Sequence, residues 1–159
     1  MNRESPTDLS EISWRHLFTR FPEWQDHAQF VESEASDDLE SLYVRVYSPA
    51  DEKSYLSILA RDDCIEISFS DGVPPGGAES QILCEEGSES LCVAAAIEYV
   101  QEIIDEKVVI GRERSTRLTE HKTLPPQFIA SSEIEAKRRR LVSVRSWKGR
   151  YNWEQARPT

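Results

Sequence analysis

The chain has 159 residues, 29 of them Asp or Glu and 19 Lys or Arg, for a formal net charge of -10. That length suffices for one domain with a substantial core, and the negative balance argues against indiscriminate nucleic-acid binding, because phosphate contacts need a cationic surface. The longest stretch without a charge, Thr123 to Ser132, falls far short of the roughly 20 apolar residues of a membrane-spanning helix.

The net charge conceals an asymmetry. Residues 1–106 hold 24 acids against 6 bases, whereas residues 107–159 hold 5 acids against 13 bases. Such a split describes either two parts of one fold that attract each other or two surfaces offered to different partners. Four Trp, five Tyr and five Phe are more aromatics than a disordered chain carries. The opening Met-Asn-Arg-Glu-Ser-Pro has no apolar signal-peptide core behind its Arg. Cys64, Cys84 and Cys92 cannot all pair internally and lack C-x-x-C spacing, so the expectation is a cytoplasmic protein with reduced thiols.

The pattern predicts a first helix capped by Ser5, with Pro6 in its first turn, ending near Arg20 or Phe21 before Pro22. Trp14, Leu17, Phe18 and Phe21 recur at helical spacing and face the core, while Glu11 and Arg15 form an exposed pair. Residues 1–30 make an amino-terminal helical segment. Residues 31–41, rich in acids, read as a solvated connector, and residues 42–153 as the sheet and helix core of a single domain, 1–159. In that core Tyr43–Tyr47, Tyr55–Leu59 and Cys64–Phe69 alternate apolar and polar residues, the signature of half-buried strands joined as hairpins. Residues 71–80 form a Gly/Pro loop, residues 81–84 a short strand, and residues 90–106 an amphipathic helix with Val93, Ile97, Val100 and Ile104 along its stripe. Val108–Ile110 is a strand, Ser132 and Glu135 match a capping box, and Leu141–Trp147 is a strand turned back by Lys148-Gly149. The expected fold is α+β: an antiparallel sheet of about five or six strands with the long helix across one face and the amino-terminal aromatic helix beside that layer.

Catalytic patterns are missing. The stretch Gly72–Gly77 has neither P-loop nor G-x-G-x-x-G spacing, and there is no G-x-S-x-G elbow. His16, His27 and His121 share no ligand spacing with one another or with a cysteine. Asp62-Asp63 and Glu85-Glu86 are carboxylate pairs, but consecutive residues of an extended strand point to opposite faces, so neither pair converges by itself. Near the carboxy terminus Arg138–Arg140, Arg145, Lys148 and Arg150 interleave with Trp147, Tyr151 and Trp153, a pattern able to stack bases.

Three segments carry a resemblance: Tyr43-Val44-Arg45-Val46 with Ser48-Pro49, Ile97-Glu98-Tyr99-Val100 before Val108, and Val144 through Tyr151. In their order along the chain they resemble small bacterial α+β immunity proteins of polymorphic and contact-dependent toxin systems. That family often carries an aromatic, His-containing stretch after the third strand. Here Ser70-Asp71-Gly72-Val73-Pro74-Pro75 stands instead, so no role of that stretch carries over. The resemblance implies a protein that binds and neutralises a cognate toxin, such as a cationic nuclease, without catalysis or cofactor. An acidic surface suits such a partner, because opposite charge steers association. The candidate contact residues are Asp62, Asp63, Asp71, Glu79, Glu85 and Glu86. Two other readings stand beside this one: a small metal-dependent enzyme using clustered carboxylates, and a nucleic-acid adaptor working through the basic segment.

Overall fold

Strand pairing is what alternation along one segment cannot specify, and pairing divides this chain's strands into two sheets. The computed structural model describes residues 8–33, 36–73, 76–115 and 123–155. It is α+β, with a five-stranded antiparallel sheet in the order β1-β2-β3-β4-β5 and a four-stranded sheet in the order β7-β6-β8-β9. Its strands are β1 (Ala28–Ser33), β2 (Ser36–Tyr47), β3 (Tyr55–Ala60), β4 (Cys64–Ser70), β5 (Ala78–Leu83), β6 (Val108–Glu113), β7 (Gln127–Ala130), β8 (Leu141–Arg145) and β9 (Trp153–Glu154). The helices are α1 (Asp8–Arg20), α2 (Glu89–Ile104) and the single turn α3 (Ile134–Lys137). By internal contacts the chain forms two compact units. One takes the chain up to Val46 together with Leu56–Ser68 and Ser80–Val100; the other takes Tyr47–Tyr55, Phe69–Glu79 and Gln101 onward.

In the first unit α1 ends at Arg20, where the residue ahead of Pro22 leaves helical geometry. Leu17, Phe18 and Phe21 are buried as their spacing requires, and Trp24 in a following 3-10 helix (Pro22–His27) stacks on Phe21 at 4.3 Å. Trp14 is half-buried and stacks on Phe30 of β1 at 5.4 Å. Arg15 and Glu11 form the expected exposed pair at 3.3 Å. Ser10, fully buried, donates to the Ala60 carbonyl and accepts the Leu42 N–H, each at 3.1 Å, tying α1 to β3 and β2. The proposed caps Ser5 and Pro6 lie outside the described residues.

Of the acidic connector expected at residues 31–41, Val31–Ser33 end β1 and Ser36–Ser41 begin β2 instead, the two strands pairing from Ala28↔Val44 to Glu32↔Glu40. A ladder is made by backbone groups, so an edge strand pair with Glu32 and Glu40 exposed needs no apolar alternation to form. The three alternating segments are β2, β3 and β4, and of their inward residues Val44, Leu56, Ile58, Ile65, Ile67 and Phe69 are buried while Val46 is half-buried.

In α2 the buried stripe is Cys92, Val93, Ala96, Val100 and Ile103, with Ile97 and Ile104 at its half-buried margin. The helix closes in the second unit by a Schellman motif: the Lys107 N–H reaches the Glu102 carbonyl at 2.9 Å and the Glu106 N–H that of Ile103 at 3.1 Å. The left-handed residue of that motif, usually glycine, is Glu106, at φ 59° and 4% exposed. Its carboxylate explains the choice. Oε1 accepts the Lys148 N–H at 2.7 Å and the Arg150 N–H at 3.1 Å, holding the turn between β8 and β9. That turn is further closed by Ser146 and Asn152, and its Gly149 sits at φ 80°.

The four-stranded sheet of the second unit packs Val109, Ile129, Leu141 and Val144 as its core, flanked by Ile134, Tyr151 and Trp153. Strand β7 replaces what reads as the continuation of a Pro125-Pro126 loop; four residues are too few for alternation to register. The capping box of Ser132 and Glu135 does not form. Ser132 lies in a 3-10 turn (Ser131–Glu133), α3 has no side-chain cap, and Glu135 pairs with Arg138 at 2.8 Å. Strand β8 ends at Arg145, short of the expected Trp147, because Ser146 already belongs to the turn held by Glu106.

A second buried charge lies in the same unit. Arg112 of β6 donates to both Asp71 oxygens, Nε to Oδ2 at 2.9 Å and Nη2 to Oδ1 at 3.0 Å, and also to the Val73 carbonyl at 3.0 Å. The two side chains are 10% and 6% exposed. Gly72, beside this pair, has φ 75°, and a Cβ there would lie 2.6 Å from the Lys53 carbonyl oxygen.

Two stability measurements test these assignments. Glu106→Ala removes the acceptor of two N–H groups while keeping the positive φ, and should cost about 2–4 kcal/mol in urea denaturation. Glu106→Gly should cost roughly 1 kcal/mol less, since glycine takes that φ without strain. Asp71→Ala leaves a buried guanidinium without its counter-ion and should cost about 3–5 kcal/mol.

Candidate functional site

The turn between β3 and β4 is Arg61-Asp62-Asp63, closed by the Arg61 N–H on the Cys64 carbonyl at 2.8 Å, and both aspartates are exposed. The chain returns beside it after β5: the Cys84 N–H donates to the Asp63 carbonyl at 2.7 Å. Glu85 and Glu86 follow at once, in a turn where the Ser88 N–H meets the Glu85 carbonyl at 3.0 Å. The first residue of α2, Glu89, accepts the Gly87 N–H at 3.1 Å. Asp62, Asp63, Glu85, Glu86 and Glu89, with Leu9 of α1 and Cys84, line one cleft of about 310 Å³. The Cys84–Asp63 backbone hydrogen bond, beside the paired strands β4 and β5, thus brings two carboxylate pairs, each carried by a turn, to one cleft.

Of the six predicted contact residues, four line this cleft. Asp71 does not: Arg112 occupies both of its oxygens in the second unit, which withdraws it from any surface patch. Glu79 is exposed on β5 and is absent from the cleft wall. Glu89, Leu9 and Cys84 went unselected. For Glu89 a signal existed, since an acid beginning a helix complements its dipole.

Among the described residues, no Lys, Arg or His lines the cleft. Among the described residues, no three His, Cys, Asp or Glu side chains are grouped so as to hold a metal ion. Its thiol is also chemically quiet. Burial, reinforced by the neighbouring Cys92 thiol, Cys64 and Glu89, pushes Cys84 up to about 12. Burial, with Asp63 and Glu66 adding negative charge, pushes Cys64 up to about 11. Both stay protonated at neutral pH, and the thiolate is the nucleophilic form. Five carboxylates make the cleft acidic, and the reach of such charge in solution is set by the Debye length.

Elsewhere, His27 lines a second recess of about 390 Å³ with Asp26, Gln29, Tyr43 and Arg45, where the Arg45 Nε donates to the Tyr43 hydroxyl at 2.9 Å. His16 is exposed on α1, and His121 lies outside the described residues. The basic segment is largely spoken for within the second unit. Trp147 is buried, edge-on to Phe69 at 5.9 Å, and its carbonyl accepts the Ser48 hydroxyl at 2.6 Å. Arg138 lies over the Trp153 ring at 5.5 Å, and Arg145 meets the Trp153 carbonyl at 3.1 Å and Glu154 at 3.5 Å. Trp147, one of the aromatics expected to stack bases, is thus a core residue.

Among the described residues, no helix is long and apolar enough to cross a membrane. Compared with known proteins, the chain matches no family model, no curated protein and no solved structure.

The thiols make a prediction with a defined sign. A raised folded-state pKa means that the native protein keeps protons the unfolded chain loses, so stability is full below the ordinary cysteine value of 9.0 and falls as pH climbs through about 11 and 12. Urea midpoints taken through that window should drop less steeply for a Cys64→Ala, Cys84→Ala variant than for the parent. Alkylation by iodoacetamide at neutral pH should be slow for both thiols in the native protein and fast after unfolding.

Proposed function

We propose that this chain is a non-catalytic binding protein, an immunity protein whose acidic cleft holds a cationic toxin. The observation that carries the reading is the meeting of five carboxylates from the β3–β4 turn, the β5–α2 connection and the start of α2 on one cleft that, among the described residues, is lined by no basic side chain. An inhibitor needs complementarity rather than chemistry, and this cleft offers fixed negative charge beside thiols held protonated. The order of strands and helices and the motifs at residues 43–49, 97–100 and 144–151 support it through their resemblance to immunity proteins. Three free cysteines suit a reducing compartment, so the proposed place of action is the cytoplasm.

Co-expression with the product of the adjacent gene is the test: this chain should suppress the growth arrest that product causes and co-purify with it. For that complex, Asp62→Lys with Asp63→Lys should slow association about tenfold or more and leave dissociation nearly unchanged. Raising salt from about 0.05 M to 0.5 M contracts the Debye length from roughly 14 Å to 4 Å and should slow association as well. The melting temperature should scarcely move, since exposed charges are worth less than about 0.5 kcal/mol. An association rate indifferent to both changes would overturn the electrostatic reading.

A further inference from the structure

β1 stands last in the order of the five-stranded sheet, and among the described residues no strand pairs with its far edge. Open sheets always have edges, which proline, lysine or a bulge usually blunt. β1, Ala-Gln-Phe-Val-Glu-Ser, has neither residue, and its one irregularity falls after Glu32. Which backbone groups lie along that edge follows from the neighbouring ladder. The Leu42 N–H donates to the Ser10 hydroxyl, which in turn donates to the Ala60 carbonyl of β3, so the Leu42 backbone faces β3. By the alternation of an antiparallel ladder, Ser41 and Tyr43 face β1 and bond to their partners Val31 and Gln29. Phe30 and Glu32 therefore turn both N–H and C=O outward. Ala28 turns out only its carbonyl, since its N–H is taken by the Gln25 carbonyl.

Side chains add chemistry to this edge. Phe30 is 39% exposed and stacks on Trp14 at 5.4 Å, an aromatic step beside the outward groups. Two residues on, and so on the same face, Glu32 stands directly across from Glu40, both of them exposed. Theirs is a closely spaced, non-hydrogen-bonded pair, in which like charges weaken the ladder. We propose that β1 accepts an extended segment of another protein as a sixth strand, antiparallel to it. That segment sets a Lys or Arg against Glu32 and, two residues later, an aromatic or aliphatic side chain against Phe30. Charge complementarity selects this occupant, because a cation across from Glu32 offsets the repulsion from Glu40. A second copy of β1 centred on Phe30 would instead place Ala28 across from Glu32, and β1 itself contains no base. Main-chain bonds supply the attachment, and alternate side chains supply the selectivity. None of these residues lines the acidic cleft, and neither reading rests on the other.

The experiment uses the full chain and a blocked peptide, Thr-Lys-Thr-Phe-Thr-Val-Thr, with binding measured by calorimetry and mapped by amide exchange. The peptide should bind and slow exchange at the Phe30 and Glu32 N–H groups. N-methylation of its Lys and Phe, whose N–H groups would face β1, should abolish binding, whereas N-methylation of the Thr between them should not. Glu32→Lys should weaken binding about fivefold or more, and a peptide with Glu in place of Lys should recover it in that variant. Phe30→Pro removes an outward donor without breaking the β1–β2 ladder and should abolish binding as well. Tolerance of N-methyl groups on both Lys and Phe would overturn the proposal. Affinity lost in Asp62→Lys, Asp63→Lys but kept in Glu32→Lys would overturn it too, by moving the peptide to the acidic cleft. Absence of binding would overturn it and leave the reading of the cleft as it stands. A concentration-dependent dimer dissolved by Phe30→Pro would make the occupant a second copy of this chain, and would equally overturn the proposal.

Discussion

A carboxylate and a guanidinium that leave water have to leave together, and the Asp71–Arg112 pair is where this chain obeys that constraint most stringently. Each charge alone inside the second unit would cost several kcal/mol in lost hydration. The bidentate geometry, with the Val73 carbonyl taking a further Arg112 N–H, satisfies the donors that the carboxylate does not. The arrangement pins the loop after β4 to the middle of β6. Glu106 follows the same logic with backbone partners: a buried carboxylate is tolerated because two N–H groups of the 146–152 turn converge on it. It occupies a left-handed position where glycine would be conformationally cheaper but would supply no acceptor.

Acidic residues therefore serve two opposite ends in this protein. In the second unit Asp71 and Glu106 are structural, buried and matched by donors. In the first unit Asp62, Asp63, Glu85, Glu86 and Glu89 are gathered at one cleft, with no basic side chain among its described lining residues. Composition counts both kinds alike, and the excess of acids in residues 1–106 measures the surface potential only after the internal ones are set aside. The basic carboxy-terminal segment is divided in the same way. Arg138 and Arg145 are held by carboxylates, carbonyls and a Trp ring, while the neighbouring Trp147 forms core.

The segments that carry the family resemblance have evident mechanical roles. Ser48 accepts the Ala50 N–H at 3.1 Å and donates to the Trp147 carbonyl, joining two of those segments directly. Gly149 provides the left-handed turn that brings the Lys148 and Arg150 N–H groups onto Glu106. Side chains recruited to hold turns and strands preserve a framework, and the binding properties of such a framework belong to its exposed loops.

By itself the sequence determined what depends on neighbours along the chain. The alternation in β2, β3 and β4, the helical stripes of α1 and α2, the stop ahead of Pro22 and the exposed Glu11–Arg15 pair all arise from local periodicity and backbone stereochemistry, and all are legible residue by residue. Tertiary structure alone decided what depends on contacts between distant segments. Those decisions include the partition of strands into two sheets, the strand pairing hidden in the acidic stretch at 31–41, and the withdrawal of Asp71 by an arginine 41 positions away. They also include the convergence of two carboxylate pairs on one cleft. A hydrogen bond such as that from residue 84 to residue 63 leaves no periodic trace, because its energy depends on which backbone groups meet and not on the identity of the side chains between them.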